Sequence, residues 1–173
     1  MIELKNALAE DYTGISKLHA ESWRQSYRGI LSDDFLDNKV YQTLEATWLH
    51  RLKSPSENQY TTIAIKNDIS VGFACIFLND NPIYGALLDN LHVSLESQQK
   101  GIGKMLVKNC AENICNNSDN HKMYLWVYES NDKARNVYTR LGGITNETIE
   151  KPNLDGTTAL ICRYIWDDVA LIL

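Results

Sequence analysis

Cysteine is scarce in this chain, and its spacing pairs with nothing. Cys75, Cys110, Cys115 and Cys162 form no C-x-x-C motif, and the four histidines show no H-E-x-x-H or similar ligand spacing. No metal centre is expected, and the thiols read as small, reduced, buried hydrophobes. Long apolar runs are also missing. None reaches the ~18 residues that a membrane span requires, and the opening MIELKNALAEDY lacks the basic, apolar and small-residue segments of a secretory signal, so a cytoplasmic location is the expectation. Basic charge is in deficit: 17 Lys and Arg stand against 22 Asp and Glu, a formal net charge of -5. That balance disfavours nucleic acid as a partner, because nonspecific binding needs a cationic field along the phosphates. With only three prolines and no low-complexity segment, no linker is evident, and a single domain over residues 1–173 is expected.

What the chain does contain is a regular succession of periodic segments. MIELKN alternates as a half-buried strand, and residues 11–27 carry a helical stripe of Ile15, Leu18 and His19. Ser32 caps a second helix in which Leu36, Val40, Leu44 and Trp48 recur every four residues. YTTIAIK and ISVGFACIFL read as strands of a hairpin turning at Asn67 and Asp68, and YGALLDNLHV follows as a third. Leu106, Cys110, Ala111 and Ile114 mark another helix, KMYLWVY a strand, and Ala134, Val137, Tyr138 and Leu141 a further helix that stops at Gly142. Two closing strands turn between Pro152 and Gly156. The order predicts an α/β (α+β) fold, one mixed, mostly antiparallel sheet flanked by helices, with a βαβ crossover around residues 94–130.

The stretch ESQQKGIGKML places Gly101 and Gly103 where a strand gives way to a helix, and three phosphate-bearing ligands compete to explain it. A nucleotide-binding P-loop needs glycine at position 98 and Ser or Thr at 105, where this chain has Gln98 and Met105. A dinucleotide fingerprint needs a third glycine where Leu106 stands. The shared physics survives both failures: the free N–H groups and positive end of a helix start form an anion site. The alternative is that the glycines merely make a tight turn. Further along, SNDKARNVYTRLGG sets Asn131, Ala134, Tyr138 and Gly142 at N-x-x-A-x-x-x-Y-x-x-x-G, with Asn131 and Tyr138 two helical turns apart on one side.

These two motifs, with the order of elements around them, resemble the GCN5-related N-acetyltransferase (GNAT) superfamily. The resemblance implies that Gln98, Gln99, Lys100, Gly101, Ile102, Gly103 and Lys104 wrap the pyrophosphate of acetyl-coenzyme A (acetyl-CoA). It further implies that the backbone of Leu91, His92 and Val93 pairs with the pantetheine arm, and that Asn131 touches the cofactor. Many members end the second motif in Gly-Phe, where this chain has Gly142-Gly143.

Acetyl transfer to an amine requires a proton for the departing thiolate, and Tyr138 suits that task, since a phenol of pKa ~10 is protonated at neutral pH and has a proton to give; a core-packing tyrosine is the alternative. The acceptor amine must lose a proton. Asp89, an acid in an otherwise apolar strand, is the candidate base, or else an edge carboxylate facing water. His92 has a suitable pKa for the same task, but strict alternation sends it to the opposite face from Asp89. Trp23, Tyr27 and Trp126 are candidates for the acceptor pocket, with core packing the alternative for each. An N-acetyltransferase acting by direct transfer in a ternary complex is therefore expected, with an amine-bearing acceptor left open. A noncatalytic acyl-CoA-binding sensor on the same fold is the rival. The apolar end, Val169 to Leu173, is expected to bury itself against the domain or, as a second option, against another copy in a homodimer.

Overall fold

Asn67 and Asp68 both adopt left-handed backbone, with φ of 50° and 62°, which is the geometry a two-residue hairpin turn demands. They join β2 (Gln59–Lys66) to β3 (Ile69–Asn81) in antiparallel register. The computed structural model describes residues 1–173. Five further strands, β1 (Glu3–Asn6), β4 (Gly85–Val93), β5 (Met123–Tyr128), β6 (Ile144–Pro152) and β7 (Thr158–Trp166), complete one sheet. Its seven strands lie in the order β1-β2-β3-β4-β5-β7-β6. Every pairing is antiparallel except β4 with β5, which the crossover makes parallel.

The helices are α1 (Tyr12–Ser26), α2 (Val40–Lys53), α3 (Ile102–Asn117) and α4 (Asp132–Arg140), and a π-helical turn over Phe35–Lys39 leads into α2. The Ser32 hydroxyl accepts from the Phe35 amide at 3.4 Å, so the expected cap sits at the start of that turn. The four-residue stripe of α2 is fully inside: Leu36, Val40, Leu44 and Trp48 pack with Ile15, Ile63 and Phe73 under α1 and α2 on one face of the sheet. Alternation along β3 sends Ala74 and Ile76 to the other face, where Leu106, Ile114, Met123 and Leu125 form a second core beneath α3. Cys75, Cys110 and Cys162 are buried and Cys115 half-buried, all as free thiols.

Strand β4 carries the irregularity that shapes the site. Cys75 stands opposite Asn90 while the next residue, Ile76, stands opposite Leu88, so Asp89 is the extra residue of a bulge. A bulge shifts the phase of every side chain beyond it by one. Ala86 and Leu88 face α3 before it, and Leu91 and Val93 face α3 after it. Asn90 and His92 consequently turn to the α1/α2 face.

Beyond Trp166 the chain turns back along α3 as one 3-10 turn, Val169–Ile172. Val169 is completely buried and Ile172 nearly so, whereas Leu171 and Leu173 remain exposed. The Val169 amide donates to the His121 carbonyl at 2.9 Å. The tail thus closes the second core from within the domain. Two side chains of this size contribute about 3 kcal/mol or more when buried, so deleting residues 169–173 should lower the melting temperature by roughly 6–12 °C. A melting curve unchanged by the deletion would contradict this packing role.

Candidate active site

Strands β4 and β5 pair at only two positions, Ala86 with Met123 and Leu87 with Tyr124, and then part. The bulge at Asp89 bends one strand away, while β5 keeps its full register with β7 up to Tyr128. The facing backbone edges of β4 beyond Leu87 and of β5 beyond Tyr124 are left without a strand partner. Unpaired backbone of this kind needs other acceptors and donors, and an extended ligand lying in the opening would supply them.

The loop that follows β4 leaves its backbone amides free. Gln99 and Gly101 have left-handed backbone, φ 61° and 80°, and Gly101 is the residue before the first turn of α3. None of the backbone amides from Gln99 to Lys104 finds an acceptor within the protein; the first to do so is Met105, which donates to Gly101 at 3.0 Å. Gly103 differs from Gly101. It lies inside the helix, and an added Cβ would meet only the Val93 Cγ2, at an ordinary 3.9 Å. The fold does not need glycine at 103. Close approach of a ligand to the amides does explain it.

Two side chains fasten the loop to its surroundings. The Gln98 amide donates to the Val93 carbonyl at 3.1 Å and its oxygen accepts from Lys133 on α4, tying loop, strand and helix together. The Asn131 side chain caps α4 by accepting from the Ala134 amide at 3.2 Å, and the Asn131 amide donates to the Tyr128 carbonyl at 2.9 Å. Tyr138 projects from α4 against Tyr164 and Trp166, with ring centroids 5.8 and 6.3 Å away, and burial pushes its phenol up to about 12. Trp166 also fills the space that Gly143 leaves: a Cβ there would stand 2.5 Å from the indole.

The opening in the sheet lets residues from its two faces approach each other. Tyr27, at the end of α1, packs edge-on to Tyr128 at 4.8 Å. Its phenol is raised first by burial and then by the neighbouring Tyr138 and Tyr128. Tyr27 packs with the α1/α2 core and Tyr138 with the α3 core, so the two approach each other from opposite faces of the sheet. Over the mouth of the opening the α1–α2 loop is joined to the β6–β7 hairpin, where Asp155 accepts from the Ser32 amide at 2.6 Å and Tyr128 donates to Asn153 at 2.8 Å.

On the α1/α2 face a row of side chains crosses the sheet at one level. Asp89 accepts from Arg51 at 2.7 Å, and Asn90 accepts from the same guanidinium at 3.0 Å. Across the gap, Trp126 pairs in register with Arg163, which in turn stands opposite Glu147 and ion-pairs with it. The Arg163 guanidinium stacks over Tyr84 at 4.0 Å and Trp126 at 4.6 Å.

Leu91 to Val93 and Trp126 lie on the two parted strands, Gln98 to Lys104, Asn131 and Tyr138 on the loop and helices of the crossover and beyond, and Tyr27 against Tyr128. Trp23 stands one turn back along α1, packed on His19 and Phe35 as well as Tyr27. For His92 the alternation argument fails, because the bulge brings it to the same α1/α2 face as Asp89. Arg51 was missed, since a basic residue in the last turn of a helix reads as a complement to the helix dipole. Arg163 carried a signal, being the only charged residue within the apolar run LICRYIW.

His92 and His19 meet with ring centroids 4.3 Å apart. Burial holds His92 at about 4, and burial, followed by the charges of His92 and Arg51, lowers His19 well below the usual imidazole value. In the unfolded chain both would titrate near 6.5. The unfolded state thus gains protons that the folded state refuses, and stability present above pH ~6.5 is lost as pH falls toward 4. For His92 the loss is on the order of 3 kcal/mol. Denaturant midpoints should fall already between pH 7 and 5, above the carboxylate range; midpoints constant over that interval would refute this.

Comparison with known proteins decides the family. The model of the acetyltransferase (GNAT) family matches residues 15–143. The chain belongs to the GNAT family. It is 28% identical, over 76% of its length and 74% of the relative's, to the uncharacterized N-acetyltransferase YuaI of Bacillus subtilis (strain 168). Among solved structures it resembles the PaiA N-acetyltransferase of Thermoplasma acidophilum, crystallised with coenzyme A, with a TM-score of 0.71 at 19% identity over 94% of this chain and 98% of that one. A GCN5-related N-acetyltransferase from Rhodopseudomonas palustris gives a TM-score of 0.76 at 18% identity over 94% and 93% of the two chains. The expected fold class stands: a mostly antiparallel GNAT sheet flanked by helices. GNAT enzymes take their acetyl group from acetyl-CoA.

Proposed function

We propose that this GNAT chain is a single-domain N-acetyltransferase that moves the acetyl group of acetyl-CoA directly to an amine within a ternary complex. The observation that carries the reading is the parting of β4 and β5 beneath the unpartnered amides of Gln99 to Lys104. Those amides and the positive end of α3 hold the pyrophosphate, and Leu91 to Val93 offer backbone groups to the pantetheine arm. Asn131 fixes the start of α4 and keeps its side-chain N–H₂ for the ligand.

Bound acetyl-CoA supplies a thioester, an acyl group already activated toward amines. Tyr138 holds the proton that the departing sulfur requires, and its high pKa keeps that proton in place at neutral pH until sulfur takes it as the carbon–sulfur bond breaks. A backbone N–H of Leu91 to Val93 stabilises the charge that grows on the carbonyl oxygen. The acceptor approaches over the α1/α2 face, past Tyr27 and Trp126, with Trp23 supporting Tyr27 from behind. Asp89 offers a carboxylate at the rim of that approach, where it is the acid the sequence nominates to receive the amine's proton.

Thiol release measured against a panel of amines tests the whole reading. Amine-dependent release of coenzyme A is expected; tight acetyl-CoA binding with no such release from any amine would favour the acyl-CoA-binding sensor.

A further inference from the structure

On the α1/α2 face of the sheet lies a cluster that the mechanism has not used. His19 is buried, with 3% of its surface exposed. Its Nδ1 accepts the indole N–H of Trp48 at 3.0 Å. An indole nitrogen only donates, so a neutral His19 must carry its proton on Nε2, and that atom is sealed from solvent with no acceptor. The fixed Nε2–H group belongs to a ring 4.3 Å from His92.

His92 is held differently. Its Nδ1 lies 2.9 Å from the Ser22 hydroxyl, and Phe73 supports the ring at 5.3 Å. Its Nε2 has no protein partner and is not among the fully buried orphan atoms, so it keeps some accessibility. The backbone of the same residue borders the opening between β4 and β5, and the bulge at Asp89 turns its side chain to the acceptor side. Titratable and charged groups on the surrounding elements are few: His19 on α1, Arg51 on α2, and Asp89 on its own strand. Asp89 already balances Arg51 at 2.7 Å.

We infer that His92, with Nδ1–H donating to Ser22 and Nε2 unprotonated, is the base that takes the acceptor's proton. This rests on the acetyl-transfer reading above. The amine nitrogen forms a bond to the thioester carbonyl carbon while one of its N–H protons passes to His92 Nε2. The carbon–sulfur bond breaks, its electron pair leaves on sulfur, and Tyr138 gives sulfur its phenolic proton. His92 then returns its proton, through water, to the Tyr138 phenolate, so the products are the amide and the free thiol and the protein is unchanged. Ser22 is a positioning residue that selects the tautomer. His19 is another: it cannot turn its Nε2–H away without losing Trp48, so it opposes a lasting charge on His92 and favours release of the proton.

The test combines a structural and a kinetic reading. Imidazole ¹⁵N shifts of the wild-type protein should show His92 protonated at Nδ1 and bare at Nε2 near neutral pH. His92→Gln should lower kcat/KM for the preferred amine by about 10²- to 10³-fold. Acetyl-CoA affinity by calorimetry should stay unchanged, and the acid limb that remains in the kcat/KM pH profile once the amine's own ionisation is factored out should vanish. Ser22→Ala should lower the rate less and shift that limb. Asp89→Asn should weaken turnover but retain the limb. The proposal is overturned if His92 carries its proton on Nε2, or if the limb survives in a folded His92→Gln and disappears in Asp89→Asn, which would make Asp89 the base. A wild-type protein that binds no acetyl-CoA would remove the parent reading instead, whatever the tautomer of His92.

Discussion

Tyr138→Phe should lower the single-turnover rate of acetyl transfer by about 10²- to 10⁴-fold, the range typical of a lost general acid. Acetyl-CoA affinity should change little. Phenylalanine keeps the ring that packs on Tyr164 and Trp166. Only the hydroxyl is removed, and no protein group is hydrogen-bonded to it, so the fold loses nothing that would confuse the result. The same isolation is why burial drives the phenol up to about 12, which keeps its proton in place until charge develops on the departing sulfur. Single-turnover measurement is required because product release often limits steady-state turnover and would hide the defect. Wild-type single-turnover rates across the pH range would reduce Tyr138 to a packing residue.

Gly103→Val should cost acetyl-CoA binding about 100-fold or more while leaving the melting temperature nearly unchanged. A branched side chain at this position stands over amides that have no partner in the protein. Losing one or two hydrogen bonds to a charged phosphate, each worth about 1.5–3 kcal/mol, accounts for that magnitude. Nothing in the fold resists the change, since the nearest atom to a new Cβ is an ordinary contact away and valine is tolerated in a helix at least as well as glycine. Gly101→Val is the informative contrast. There φ is 80°, and a β-branched residue forced into it should cost about 1–3 kcal/mol of stability itself. Calorimetry and thermal melts of the two variants separate a ligand-driven glycine from a conformational one; unimpaired binding by a folded Gly103→Val would remove the proposed phosphate loop.

Most of the fold was legible because each element advertises itself locally. The four-residue stripe of α2, the Asn67-Asp68 turn and the strand-to-helix passage at Gly101 are each decided by a handful of neighbouring residues, and all appear where the sequence places them. What the sequence hid is what depends on one extra residue or on distant partners. The Asp89 bulge has no local signature, yet it alone moves His92 to the face of Asp89 and bends β4 away from β5. The Arg51 contact to Asp89 joins residues 38 positions apart, which no periodicity reports. The apolar tail was readable as buried, though its exposed Leu171 and Leu173 were not distinguishable from Val169 and Ile172 without knowing that a single 3-10 turn presents only one side to α3.

The bond between Ser32 and Asp155 spans 123 positions of the chain. Contacts so remote in sequence close a long loop and form late, because the entropy of bringing the ends together must be met before they stabilise anything. The α1/α2 core rests on residues up to Cys75 and can condense while the rest of the chain is still being made. The wall formed by the β6–β7 hairpin cannot. On the ribosome, the α1/α2 core is therefore expected to form early, and the Ser32–Asp155 closure only once the β6–β7 hairpin has emerged.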